Sequence, residues 1–275
     1  MMIGMRSGKM KSGRKRNGRT SFAPQHNNEG DCNMRYVTKT IGLSVLFLSL
    51  SGILFAGGIK GTVKYEGKVP KMKPIRMAAD PICDGKHTQG PARLEWLLAG
   101  PEGVLKNVFV YVEKGLEGKE FKTPETAVTI DQRGCIYVPH VSGVQVGQNI
   151  DILNSDGTLH NVHAMPKVKK NVAFNEAMPG ARKKITKKFD EKEVMVRIKC
   201  DVHPWMGAFV GVLDHPFFAV TDNAGNFEIK GLPAGTYTLT AWHERLPAKS
   251  TTVTIKEDGD ATADFVLKRP PKKKN

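Results

Sequence analysis

The sequence predicts an all-β protein built from two β-sandwiches. Short runs rich in Val, Ile, Thr, Tyr and Phe recur along the chain, each closed by Gly, Pro, Asn or Asp. The chain carries 28 Gly and 16 Pro, and no helical period persists over a useful length. Its 275 residues, 40% of them hydrophobic, suffice for one or two packed domains and exclude wholesale disorder.

The first segments are expected to be non-structural. Residues 1–33 are polar, basic and aperiodic, and read as a disordered leader upstream of a start at Met34. Met34 to Lys39 is a short cationic stretch, Ile41 to Phe55 is apolar, and Leu54-Phe55-Ala56 ends on a small residue. Segment 34–56 is therefore expected to be an export signal, or a membrane anchor if uncleaved, with the mature protein periplasmic or extracellular. This accounts for much of the formal charge of +15. Residues 1–56 hold nine Lys/Arg and two Asp/Glu, out of 42 and 27 in the whole chain. Most of the remaining excess sits in the tail, in Lys268, Arg269, Lys272, Lys273 and Lys274, with 269–275 read as a basic end. The body is only mildly basic, so a nucleic-acid partner is not expected. A single apolar run excludes a polytopic protein.

Strands follow in order. Gly61 to Gly67 is a strand ending in a turn, and Asn107 to Glu113 is β-branched and aromatic. Val144 to Asn154 gives two runs broken at Gly147. Val194 to Cys200 alternates, with Val194, Val196, Ile198 and Cys200 on one face, so Cys200 points inward. Ala208 to Leu213 is a further strand. Phe217 to Thr221, Asn226 to Lys230, Thr236 to Trp242, Ser250 to Ile255 and Ala261 to Leu267 complete the pattern, with turns at Asp222–Gly225 and Pro233–Gly235. Helix is limited to a turn within Arg93–Leu98. The switch between sandwiches is placed near Asp214, giving domains 57–213 and 214–268.

Chemistry concentrates in one loop. Cys200, His203 and Met206 place a thiolate, an imidazole and a thioether at offsets 0, 3 and 6. Two histidines, a cysteine and a weak axial methionine form the ligand set of a mononuclear blue copper site. The second imidazole is His160 or His163; the strand period puts them on opposite faces. Rival centres fail on spacing. A binuclear copper site needs a second cysteine four residues away, where Val196 and Pro204 stand. A multicopper oxidase needs His-x-His pairs and a histidine beside the cysteine, but the pair is His160-x-x-His163 and Asp201 follows Cys200. Cys83-Asp-Gly-Lys-His87 lacks the second cysteine of a c-type haem motif. A methionine ligand disfavours zinc. No catalytic constellation is found, so an electron carrier is expected rather than an enzyme.

Cys32 precedes the export segment. Cys83 and Cys135 form an even pair in an oxidising compartment, and a disulfide is expected. A second metal site from Cys83, His87, Cys135 and His140 is the alternative.

Asn154-Ser-Asp156, His160-Asn161 and Cys200…His203…Met206 together resemble the cupredoxin family, in its plastocyanin and amicyanin branch, over roughly residues 105–213. The resemblance implies a Greek-key β-sandwich holding one type 1 copper through His160, Cys200, His203 and Met206. It implies that Asn161 ties the His160 loop to the Cys200 loop. Electrons are expected to enter through His203 and Trp205. Val220 to Trp242 resembles the carboxypeptidase regulatory-like domain, a small transthyretin-like β-sandwich, over about residues 216–268. Gly61 to Gly67 resembles that family's first strand, so the cupredoxin part is expected to be inserted into this module or packed on it. His243 with Glu244, and His215, read as satisfied polar residues.

The expected function is exported single-electron transfer. The alternatives are a copper carrier without redox turnover and a structural or carbohydrate-adhesion protein. The expected partner is a cytochrome or oxidase whose acidic face meets Lys167, Lys169, Lys170, Lys183, Lys184 and Lys187.

Overall fold

The structure is a computed structural model describing residues 57–257 and 259–271. The expected leader, export segment, Cys32, and Lys272, Lys273 and Lys274 of the tail lie outside the described residues. The chain begins with β1 (Gly57–Glu66), a helical turn α1 (Pro81–Gly85), a 3-10 turn (Pro101–Gly103) and β2 (Phe109–Lys114). Next come β3 (Val128–Gln132), β4 (Tyr137–Val138), β5 (Val141–Gln145), β6 (Ile150–Asn154), β7 (His160–Met165) and β8 (Phe174–Met178). They are followed by β9 (Lys184–Lys187), β10 (Glu193–Lys199), β11 (Gly207–Leu213) and β12 (Phe218–Val220). The last strands are β13 (Asn226–Leu232), β14 (Gly235–His243), β15 (Leu246–Ile255), β16 (Ala261–Thr262) and β17 (Phe265–Lys268). The all-β expectation holds. No helix among the described residues is long and apolar enough to cross a membrane.

Two pairs of sheets form. One pair is β13-β1-β16, with β17 also on β1, and β12-β2-β14-β15. The other is β5-β11-β10-β7-β8 and β4-β3-β6-β9. The expected boundary at Asp214 is therefore corrected. β1 pairs with β13 and β17, and β2 with β12 and β14, so both early strands belong to the C-terminal sandwich. The reason is burial: Ile59, Val63 and Tyr65 find their cover in Phe227, Ile229, Phe265 and Leu267. The second sandwich, β3 to β11, is inserted between β2 and β12, and packs its own core around Ile130, Ile152, Val162, Val196, Ile198 and Phe189.

The expected helical turn at 93–98 does not form. Pro74 and Arg93 bridge as extended chain instead. The turn lies at α1, where Pro81 takes the first position and the Asp80 carboxylate accepts from the N–H groups of Ile82 and Cys83.

A third apolar cluster joins the sandwiches: Phe109, Tyr111, Val141, Met195 and Leu213, backed by Phe218 and Trp242. Its centre depends on two glycines. Gly143 and Gly211 face each other across β5 and β11, and the Phe109 ring lies against both. A methyl group at either position would collide with that ring.

Two predictions follow from this packing. Gly211→Ala should destabilise the protein by about 1–3 kcal/mol through overpacking. Gly207→Ala on the same strand, where the added carbon meets only ordinary contact, should stay within about 0.5 kcal/mol. Denaturant midpoints compare the two; equal values would mean the junction yields to the extra methyl. The second prediction concerns acid. Burial depresses His243 to about 4, and depresses His215 as well. A folded value below the unfolded 6.5 contributes stability above 6.5 that is lost as pH falls towards 4. His243 contributes up to about 3 kcal/mol of this. Unfolding midpoints of metal-free protein at pH 7 and pH 4.5 should differ, and His243→Gln should flatten the difference.

Candidate metal centre

The 200–206 loop is closed at both ends by backbone bonds. The Cys200 N–H donates to the Met206 carbonyl at 3.2 Å, and the Met206 N–H to the His203 carbonyl at 2.9 Å. β10 delivers Cys200 to the end of the sheet, beside β7, which begins at His160. Inward alternation buries His160 and Cys200, at 0% and 2% exposed, and the loop folds His203 in beside them at 3%. His160 Nδ1 lies 2.9 Å from His203 Nδ1, and Cys200 Sγ 3.8 Å from His203 Nδ1. The three donor atoms fall within 4.8 Å of one another. Metal bonds of about 2.0–2.3 Å to nitrogen and sulfur put ligands of one ion at such separations. Met206 is buried in the same core as Cys200 and Trp205. The other buried methionine nearby, Met178, is the cross-strand neighbour of His160, and its sulfur accepts from Gln132 at 3.1 Å.

His163 is not part of this group. It lies on the other face of β7, with Nδ1 on Asp201 Oδ2 at 2.9 Å. Asn161 sits where the tie is expected. Its Oδ1 accepts the N–H of Asp201 at 2.6 Å and of Val202 at 3.3 Å, and lies 3.3 Å from Cys200 Sγ. The N–H groups of Asn161 and His203 point at the sulfur from 3.5 and 3.4 Å. Burial alone would raise the Cys200 thiol. His160 and the N–H groups of Asn161, His203 and Val202 outweigh it and bring the thiol below its ordinary value, towards the thiolate that binds metal.

Two carboxylates hold the outer edges of the histidines. Asp156 Oδ2 meets His160 Nε2 at 3.0 Å, and Asp80 Oδ2 meets His203 Nε2 at 3.0 Å. Burial opposes ionised Asp156, yet His160, the N–H groups of Cys135 and Gly134, and Lys86 together hold it at about 2. Burial likewise opposes a charged His160, but bonding to Asp156 and Cys200 pushes it up to about 9. With each Nε2–H given to a carboxylate, each Nδ1 is left facing the centre. His160, His203 and Cys200 are the side chains that would hold a metal ion here.

Cys83 and Cys135 form a disulfide, as expected. The alternative second metal site does not assemble: His87 bonds the Gly134 carbonyl at 2.8 Å, and His140 turns to Glu244. The other two residue groups of ligand type, Asp80 with Cys83 and His203, and Cys135 with Asp156 and His160, each contain a half-cystine and so lack a thiolate. Each half-cystine N–H donates to one of the carboxylates, Cys83 to Asp80 at 3.1 Å and Cys135 to Asp156 at 2.8 Å. Asp80 and Asp156 carry no metal-ligand motif of their own. In the sequence Asp80 is signalled only as a helix cap beside Cys83, and Asp156 only as the end of the Asn154-Ser-Asp156 run four residues before His160.

Two expectations are corrected here. His203 does not present an open edge, because Asp80 and the Cys83 sulfur, 3.7 Å from Nε2, cover it. Trp205 lies against the His203 ring at 5.0 Å, with its Nε1–H on the Cys135 carbonyl. The lysine cluster is neither uniform nor wholly beside the site. β7 carries the chain about 17 Å from His160 to its far end, where Lys167, Lys169 and Lys170 follow. Lys170, Lys184 and Lys187 are paired with Glu191, Asp151 and Glu176. Only Lys183 and Lys184 stand at the metal end, where the Lys183 carbonyl accepts from Asn154.

The carboxypeptidase regulatory-like domain family matches residues 201–268. No curated protein sequence matches the chain. Among solved structures the chain is similar to an amicyanin mutant in its Cu(I) form, at 24% identity over 31% of this chain and 81% of that one, with a TM-score of 0.28. It is similar to a purple cupredoxin from Nitrosopumilus maritimus at 20% identity, over 31% of this chain and 98% of that one, TM-score 0.26. It is also similar to a copper-containing nitrite reductase from Thermus scotoductus SA-01 at 19% identity, over 36% of this chain and 24% of that one, TM-score 0.29.

Proposed function

We propose that the chain binds one copper ion through His160, Cys200, His203 and Met206 and carries single electrons between redox partners outside the cytoplasm. The observation that carries this is the buried, pre-positioned donor set, with both imidazoles oriented by carboxylates and Cys200 met by backbone N–H groups. Copper would supply a one-electron couple. The chain's own residues keep the donors in one arrangement, which suits a centre that must change little between oxidation states. A carrier that hands over its metal needs donors open to exchange, and these are at most 3% exposed. Electron access runs through Trp205, which touches His203 and lines an open cleft. Export through segment 34–56 belongs to the same reading.

Titration of the metal-free protein with Cu(II) should give an intense visible band at one equivalent, reversible on reduction. Cys200→Ser should abolish the band and keep the fold, since the charge-transfer transition requires sulfur. An intense band in the serine variant would sink the assignment, and tight Cu(I) binding without any band would favour a carrier.

The partner is proposed to be a cytochrome or oxidase with an acidic face near Lys183. Charge reversal at Lys183 should lower the transfer rate at low salt by roughly threefold to tenfold and flatten its salt dependence. Reversal at Lys169, at the far end of β7, should leave both unchanged. Equal effects at the two positions would rule out docking at the metal end.

A further inference from the structure

A cleft of about 390 Å³ opens where the two sandwiches meet. That volume fits a small organic molecule and far exceeds a simple inorganic ion. One wall is Trp205 of the ligand loop; another is Trp96 of the segment that crosses between sandwiches. Arg197 enters from β10, and Glu244 and Arg245 from the turn between β14 and β15.

The charges in the cleft do not cancel. His140 Nδ1 lies 3.0 Å from the Gly207 carbonyl, and Nε2 lies 2.7 Å from Glu244 Oε1. Both ring nitrogens of His140 are thereby engaged by the protein itself. The same carboxylate meets Arg245 at 3.5 Å, and Arg245 stacks on Trp96 at 5.6 Å. Arg93 donates to the Met72 carbonyl. Arg197 has neither a side-chain hydrogen bond nor an ion-pair partner among the described residues. Three guanidinium groups, Arg93, Arg197 and Arg245, thus face two carboxylates, Glu95 and Glu244. Trp96 already carries Arg245 and Arg269 over its ring, each at 5.6 Å, so the Trp205 indole beside the free guanidinium is the wall that fits a flat ring bearing one negative group.

We propose that this cleft binds a small aromatic carboxylate, with the carboxylate on Arg197 and the ring against Trp205. The site is independent of the copper assignment. Its occupant would nonetheless touch the indole that lies 5.0 Å from His203.

The test uses metal-free protein and 4-hydroxybenzoate, followed by calorimetry and by quenching of tryptophan fluorescence. Saturable binding at one equivalent is expected. Benzyl alcohol, which keeps a ring without the charge, and acetate, which keeps the charge without a ring, should each bind at least about tenfold more weakly. Arg197→Gln should weaken 4-hydroxybenzoate by about tenfold or more, and Arg197→Lys should restore part of the loss. Arg245→Gln supplies a second cationic position on the other sandwich and should also weaken binding. Lys169→Gln, far from the cleft, should change nothing. No saturation up to about 10 mM, equal affinity for acetate, or unchanged affinity in Arg197→Gln would each overturn the proposal. Because no metal is present, failure here leaves the copper assignment untouched, and failure of that assignment leaves this test readable.

Discussion

The inner geometry of the candidate centre hangs on a single covalent bracket. The Cys83–Cys135 disulfide joins two backbone segments whose N–H groups each grip a carboxylate. Each carboxylate in turn takes the outer nitrogen of one histidine. The bracket therefore decides which nitrogen of each ring faces Cys200. A hydrogen bond alone would leave Asp80 on a movable strap. The cross-link closes a separation of 52 residues and ties that strap to the sandwich that carries His160. The same bracket shields His203 from solvent and leaves the Trp205 ring on the flank of the candidate centre.

Much of the site was legible because its signals are local. Inward alternation along Val194–Cys200 placed the thiol in the core, and the same period separated His160 from His163. Asn161 was legible only through a motif, since its bonds to Asp201 and Val202 span some 40 positions. Asp80 was not legible as a support for His203. A helix cap says what a carboxylate does for its own turn and nothing about a ring 123 residues away. The lysines misled for a related reason. Adjacency along the chain implied adjacency to the candidate centre, but a strand separates its two ends by its whole length, and local carboxylates pair with half of the six lysines. Exposed pairs of this kind add little stability; their effect here is on the field a partner would meet.

The fold class was legible and the domain boundary was not. Pattern fixes which residues of a strand face inward, not which distant strand covers them. β2 shows this most clearly, because its partners β12 and β14 lie beyond the whole inserted sandwich, whereas the resemblance of Gly61–Gly67 to a first strand already pointed β1 towards the C-terminal module. The join between sandwiches likewise depends on what is missing from two side chains. Gly143 and Gly211 leave a slot for Phe109, and only the assembled structure shows that a ring fills it.

The insertion imposes an order in time. During synthesis the strands of the inner sandwich are all available once Leu213 has emerged. β1 and β2 appear first yet find their neighbours last, since β12 to β17 come at the end of the chain. Until then two apolar strands wait with open edges, while the inner sandwich closes around its own core. The outer sandwich is thus the slow, late-closing half, and the inner one, which holds the candidate centre, can be complete before the rest of the chain arrives.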